Sequence, residues 1–391
     1  MTGAGVYISV PFCRQKCTYC NFASSVHPFS ELPRYLQALE TEITRHHEFS
    51  RQAGVPAGNG VSADTVYLGG GTPSLLSARQ LRSLLETVRS TFHLENEPEI
   101  TLEASPENVT PTAASTWVSC GVNRVSLGVQ SMVRRELRAV GRMHDAETVA
   151  GAFAALRNAG VQNISVDLIA GLPHQTRESW ETTLRSVLAL RPAHVSVYML
   201  EVDEDSRLGS ELLRAGARYG AAAAPGEEQV VEFYGTACEW FGQFGYQHYE
   251  ISNFALSGRE SRHNDKYWTN APYLGFGVDA HSYDGQRRWA NADSLGEYLQ
   301  RIDSGRPPIV DCKRLGTAER FEERFFLGLR RRQGVRISQL AREFGPPALQ
   351  RVEPRIAQFC EAGWMERSKD VLRLSDAGVL FSNEVFAGLL G

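Results

Sequence analysis

The stretch CRQKCTYC, residues 13–20, holds Cys13, Cys17 and Cys20 in a 391-residue chain that has only seven cysteines. Thiolates this close together on one loop grip a soft metal centre. A closed structural zinc site needs a fourth ligand, and the nearest imidazole in the chain is His27. Three thiolates suit a [4Fe–4S] cluster with one iron left open, because four-cysteine sites saturate the cluster. An open iron can take a small chelating ligand.

Other residues could serve such a ligand. In GGGTPS, residues 69–74, the bare backbone of Gly69, Gly70 and Gly71 lets N–H and C=O groups approach it closely. Asp167 interrupts the apolar run ISVDLIAGLP. A carboxylate there is costly to bury unpaired, and either ribose hydroxyls or a neighbouring loop could satisfy it. Glu103 and Gln130 close apolar runs of their own, and Arg142 in VGRMHD offers a fork of donors to a carboxylate.

The elements that must position these residues alternate in type. Strand-like runs at 5–12, 64–71, 99–106, 124–131, 163–173 and 194–200 are followed by helical patterns at 31–49, 77–92, 110–120, 145–160, 176–190 and 227–245. Ser77 is suited to cap the second helix, and Gly160 to close the fourth. Six strand–helix units in succession imply parallel strands joined by helical crossovers. The fold class is therefore α/β, either an open doubly wound sheet or a partial (β/α) barrel, with ligands at the C-terminal ends of the strands. Residues 209–229 read as a loop with a short helix, and the alternation fails after about 250. The expected domains are a barrel at 1–250, an irregular aromatic connection at 251–316, and a helical, winged-helix-like unit at 317–391.

The loop CRQKCTYC is similar to the C-x3-C-x2-C loop of the radical S-adenosylmethionine (SAM) superfamily. That resemblance implies a partial (β/α)6 barrel, a [4Fe–4S] cluster on Cys13, Cys17 and Cys20, and SAM chelating the open iron. VYISVPFC, GGGTPS, LEASPE, SLGVQS, VGRMHD and DLIAGLPHQT resemble, in order and spacing, the coproporphyrinogen III oxidase-like group. By that match Tyr7, Gly70, Gly71, Thr72, Glu103, Gln130, Arg142 and Asp167 would contact SAM.

Two features separate the branches of that group. The oxygen-independent oxidases carry a further cysteine two places after the third, where this chain has Phe22. RHNDKYW, residues 262–268, resembles the HNxxYW element of the sister branch, the HemW heme chaperones. The resemblance implies heme binding at His263, Asn264, Tyr267 and Trp268, by an axial imidazole and flat aromatic faces. His248 and His281 compete as ligands. The reading that follows is a chaperone handing heme to acceptor proteins. Its rival is an oxidase decarboxylating coproporphyrinogen III, and whether the chain is an enzyme stays open.

Composition bounds the rest. The chain is 42% hydrophobic and 22% charged with a net charge of −4, so nothing draws it as a whole to nucleic acid or an anionic membrane. The opening MTGAGVYISV has no basic n-region, and no run approaches the roughly 20 apolar residues of a membrane span. The expected compartment is the cytoplasm, with peripheral contact open where an acceptor is membrane-bound; a homodimer is compatible with the sequence but not specified by it. Arg330, Arg331 and Arg332 in the tail raise a metal-containing DNA-binding regulator as a third reading. The negative chain charge favours a packing module instead.

Overall fold

The computed structural model describes residues 3–21, 26–55 and 62–389. Phe22 therefore lies outside the described residues. Twelve strands form one sheet: β1 (Ala4–Val10), β2 (Ser62–Gly70), β3 (His93–Ala104), β4 (Arg124–Gln130), β5 (Asn163–Ala170), β6 (His194–Met199), β7 (Gln247–Glu250), β8 (Asn253–Ala255), β9 (Tyr273–Phe276), β10 (His281–Tyr283), β11 (Arg287–Asn291) and β12 (Ile309–Arg314). Their order is β12-β11-β10-β9-β1-β2-β3-β4-β5-β6-β8-β7.

The first six strands lie side by side in chain order, each parallel to the next. A doubly wound sheet would reverse its order at a switch point. None occurs across β1–β6, so the architecture is the singly wound, barrel type. Strands covered on both faces are buried along nearly their whole length, as in β1 and β4, where only Tyr7 and Gly128 escape full burial. The crossover helices bury one stripe each. In the helix Ala78–Thr91 that stripe is Leu81, Leu84, Leu85 and Val88, and Ser77 with Gln80 forms a capping box at its start. The expected helix over 31–49 is broken at Arg45 into Leu32–Thr44 and His46–Gln52.

The segment expected to be irregular instead extends the sheet on both sides. β8 adds antiparallel to β6, β9 adds parallel to β1, and β10–β12 continue antiparallel outward. A buried knot fastens this extension to the first helix. The Glu42 carboxylate accepts from Tyr298 Oη (2.5 Å), Gly277 N (2.8 Å) and Asn291 Nδ2 (2.7 Å). Tyr35 Oη donates to Ser9 O at 2.6 Å, carrying the same support to the end of β1.

Beyond β12 come the helices Thr317–Arg330, Ile337–Phe344 and Pro346–Glu361, with β13 (Val335–Arg336) between the first two and β14 (Met365–Ser368) and β15 (Val371–Leu374) after the third, the three strands forming a small antiparallel sheet in the order β13-β15-β14. The arginine run does not form a basic surface. Arg330 lies over the Trp268 ring with 4.4 Å to its centroid, Arg331 Nε pairs with Asp265 at 2.8 Å, and Arg332 pairs with Asp376. Ile251 N donates to Arg330 O (3.1 Å) and Arg332 N to Tyr249 O (3.0 Å), so the run is a seam between the main sheet and the tail. The charges that suggested DNA are used within the molecule.

Candidate metal and cofactor site

Because β1–β6 run parallel and in order, their C-terminal ends bring the expected site residues to one edge of the sheet. Val10 pairs in register with Gly70, Glu103 with Ser126, and Gly128 with Asp167. The cysteine loop leaves β1 there and is held by its neighbours' backbones. Thr18 N donates to Val140 O at 3.2 Å, and Leu208 N to Thr18 O at 2.7 Å.

Glycine at 70 and 71 is a packing requirement. Gly70 has φ +95°, and a Cβ there would lie 2.9 Å from Ser9 Oγ. A Cβ on Gly71 would stand 2.6 Å from Val10 O and 2.9 Å from Phe12 N, inside contact distance of backbone that cannot move aside. This close approach folds GGGT against the root of the cysteine loop. Thr72 N donates to Phe12 O at 2.9 Å, and Thr72 Oγ1 reaches Cys13 Sγ at 3.5 Å.

Arg142 supplies the positive charge. Its Nη1 lies 3.7 Å from Cys17 Sγ, its Nη2 donates to Gly128 O, and its buried Nε has no partner among the described residues. Burial opposes the charge on this guanidinium, but Tyr19, Cys17 and Glu107 outweigh it and hold the group protonated. The bulge between Gly128 and Gln130 at the end of β4 leaves Gln130 at φ +65°, a conformation non-glycine residues seldom adopt. Such strain gathers where a side chain must be aimed. Gly128 makes room for both side chains: a Cβ there would lie 2.5 Å from Arg142 Nη2 and 3.0 Å from Gln130 Nε2.

Two carboxyls face the same interior. Tyr67 Oη donates to Glu103 Oε1 at 2.8 Å, and burial pushes Glu103 up to about 7 against the pull of that bond. Asp167 accepts from Ser126 Oγ at 3.1 Å; burial raises its pKa too, with Ser196 and Ser126 opposing. Tyr7 stacks on Tyr67 with ring centroids 6.1 Å apart, and burial with the Glu103 charge keeps its hydroxyl protonated. All eight residues expected to contact SAM therefore line one region with the cysteine loop. Sequence reading missed Tyr67, Tyr19, Gly128 and the serines Ser126 and Ser196. Tyr67 was findable, since it pairs with Tyr7 across parallel strands and so shares its phase. A lone glycine inside an apolar strand also signals close approach.

The donor set fits a [4Fe–4S] cluster and SAM by chemistry and place. Three thiols share the loop, a hydroxyl and a guanidinium stand within 4 Å of two of them, and the Nε of that guanidinium is buried with no partner among the described residues. No three side chains among the described residues already stand in metal-binding geometry, so the fit rests on donor type and placement.

The HNxxYW element adjoins the same interior, with the His263 ring centroid 5.2 Å from that of Tyr67 and 6.4 Å from that of Tyr7. The helix Arg262–Trp268 packs against β1–β3, its residues meeting Gly3, Asp64, Thr65 and Glu99. Glu99 caps it, accepting from Arg262 N (3.2 Å) and His263 N (3.0 Å). Lys266 Nζ pairs with Asp64 Oδ1 at 2.6 Å and donates to Gly3 O. His263 is 1% exposed, with Nδ1 2.9 Å from Thr65 Oγ1 and Nε2 2.9 Å from Tyr267 Oη. Burial, with Lys266 and Arg124 adding, lowers its pKa to about 3, so the ring is neutral. Tyr267 packs edge-on against Tyr273 at 4.7 Å, and Asn264 N is bonded to the capping Ser261 Oγ at 3.3 Å. The element expected to display an imidazole and flat faces is built into the floor of the sheet. His248 is bonded to Ile251 O at 3.1 Å, and His281 is on an exposed strand end.

Comparison with known proteins places this arrangement. Residues 7–187 match the radical SAM superfamily model and residues 317–381 the HemN C-terminal domain model. The chain is 34% identical to heme chaperone HemW of Bacillus subtilis over 98% of both chains. It is 30% identical to HemW of Lactococcus lactis over 98% of this chain and 96% of that one. It is 32% identical to the mouse mitochondrial radical S-adenosyl methionine domain-containing protein 1, over 85% of this chain and 74% of that one. Coproporphyrinogen III oxidase (HemN) from Escherichia coli, a radical SAM enzyme, shares the fold with a TM-score of 0.85 over 100% of this chain and 90% of its own, at 23% identity. The cysteine loop, the glycine turn and the singly wound strands are thus those of a known lineage, and the chain belongs to the HemW heme chaperone family of the radical SAM superfamily.

Proposed function

We propose that this chain is a heme chaperone, which binds heme and passes it to acceptor proteins while carrying a [4Fe–4S] cluster and SAM. The observation that carries the reading is the full-length likeness to the Bacillus subtilis heme chaperone. Phe22 supports it, standing where the oxidases have a cysteine.

Cys13, Cys17 and Cys20 would hold the cluster, Arg142 would receive the carboxylate of SAM, and the turn at Gly70–Thr72 its amino group. When bound, the cluster supplies one-electron chemistry at an open iron. The chain's own part is to orient the nucleoside on Glu103, Gln130 and Asp167 and to keep Arg142 charged beside Cys17. His263 and Tyr267 can turn to heme only if the bonds of His263 to Thr65 and Tyr267 open, and Trp268 is covered by Arg330, so in the described state we assign this helix the role of a brace. No helix among the described residues is long and apolar enough to cross a membrane. Delivery from the cytoplasm to a membrane-bound acceptor would then be by peripheral contact.

Titration of the purified protein with hemin, followed in the Soret band, tests the reading. Saturable binding of one heme per chain is expected; spectra that track free hemin at every ratio would overturn it.

A further inference from the structure

The tail encloses a cavity of about 530 Å³ that the proposed function leaves unused. Its walls come from the helix Thr317–Arg330, the turn into β13, the start of the helix Ile337–Phe344, and β14 and β15. The turn sits close on β15 because Gly334, at φ +67°, has no Cβ to strike Leu372 O. Four arginines line the cavity, Arg324, Arg331, Arg336 and Arg373, against one carboxylate, Glu366. A concavity lined this way draws anions, and its volume is that of a small-ligand site.

Two of the four arginines are engaged within the molecule. Arg373 donates from Nε (2.9 Å) and Nη2 (2.7 Å) to Glu366, its cross-strand partner, and Arg331 Nε pairs with Asp265 at 2.8 Å. The other two are not. Arg324 Nε lies 3.9 Å from Glu343 Oε2, beyond hydrogen-bond reach, on a side chain only 21% exposed. Arg336 Nη1 lies 3.8 Å from Asp370 Oδ2, and both oxygens of that carboxylate already accept from Ser338, Oδ1 from its N at 2.8 Å and Oδ2 from its Oγ at 2.7 Å. Neither guanidinium makes a side-chain hydrogen bond among the described residues. Gln339 and Ser368 add neutral donors to the same walls. The planar fork of an arginine matches two oxygens of a phosphate or a carboxylate. Apolar side chains enter only from Val335, Leu340 and Val371, too little to seat a porphyrin ring, so heme would reach this cavity by its propionates alone.

We propose that this cavity is an oxyanion site, in which Arg324 and Arg336 grip the phosphate or carboxylate groups of a small ligand and Gln339 and Ser368 complete its hydrogen bonds. Two sources offer that chemistry: a free phosphoanhydride and the two propionates of heme. The second rests on the heme-chaperone reading; the first does not.

The experiment titrates the full-length protein with pyrophosphate by calorimetry, and with hemin and hemin dimethyl ester in the Soret band. Arg324→Gln and Arg336→Gln are compared with Arg342→Gln, which removes the same charge from an exposed position of the helix Ile337–Phe344 outside the cavity. If the ligand is a free phosphoanhydride, one pyrophosphate binds per chain, each cavity variant weakens it on the order of tenfold or more, and hemin is unaffected. If the ligand is the propionates, the cavity variants weaken hemin by that factor and leave the dimethyl ester unchanged. The Arg336 side chain is 68% exposed, so its replacement keeps the fold should Arg324→Gln not. Failure of hemin to bind at all would count against the chaperone reading, and the pyrophosphate titration would then decide the site alone. The proposal is overturned when the cavity variants weaken neither pyrophosphate nor hemin, or when Arg342→Gln weakens them as much.

Discussion

Gly128→Ala isolates the support that one glycine gives to Arg142. The backbone tolerates the change, because Gly128 is not among the residues with positive φ. The new methyl would meet Arg142 Nη2 at 2.5 Å and Gln130 Nε2 at 3.0 Å. Both are far ends of flexible side chains, so they swing away and the strand stays. The cost to folding is then small, about 1 kcal/mol, since overpacking that side chains relieve sits at the low end of about 1–3 kcal/mol. The cost to SAM is larger. A guanidinium displaced from its place loses a charge-assisted bond to the ligand carboxylate, worth about 1.5–3 kcal/mol, or roughly 10- to 150-fold in affinity. Equilibrium dialysis of SAM against anaerobically reconstituted protein reads the second quantity, and urea unfolding the first. Gly151→Ala is the control, with nothing within 4 Å of its added methyl. SAM affinity within twofold of the parent in Gly128→Ala would refute the reasoning, as would a loss of several kcal/mol in stability.

Further outcomes follow from other parts of the molecule. Cys17→Ala should lose the cluster's iron, sulfide and brown absorbance after anaerobic reconstitution, and unchanged iron and sulfide content would remove Cys17 as a ligand. His263→Ala empties a buried site and strands Thr65 and Tyr267, which should cost about 2–5 kcal/mol by urea unfolding; unaltered stability with weakened heme titration would make His263 a ligand and not a brace. The Glu42 carboxyl, pushed up to about 7 by burial, binds more protons folded than unfolded between its ordinary value and 7. Stability should therefore fall as pH rises through that window, by on the order of 3 kcal/mol. Glu42→Gln should shrink the stability difference between pH 5 and pH 8 by that amount, and an identical pH profile would show that the group is not buried as described.

Much of the barrel and its edge was legible because its signals are local. β1 to β6 are largely apolar runs bounded by turns, each is followed by a helix, and Ser77, Thr110, Asp145 and Thr176 cap the helices they precede. Parallel pairing then carries Gly70, Glu103, Gln130 and Asp167 to one edge without further information. The extension at β8–β12 was not legible. Its strands run three to six residues, carry Arg287, Arg288, Asp311 and Lys313, and owe their pairing to contacts distant in sequence such as the Glu42 knot. The placement of RHNDKYW was hidden for a related reason. Its polar residues look solvent-facing, yet Glu99, Asp64 and Thr65, all more than 150 positions away, satisfy them inside. The arginine run at 330–332 misled in the opposite sense, since its counter-charges Asp265 and Asp376 come from other elements.

The central claim is delivery of heme, as against chemistry on a porphyrinogen. Anaerobically reconstituted protein, preloaded with heme and supplied with SAM, should reconstitute an apo-hemoprotein, and the Cys17→Ala form should do so poorly. Given reductant, SAM and coproporphyrinogen III instead, it should leave that compound unchanged. Conversion to protoporphyrinogen, with no heme passed to the acceptor, would contradict the account.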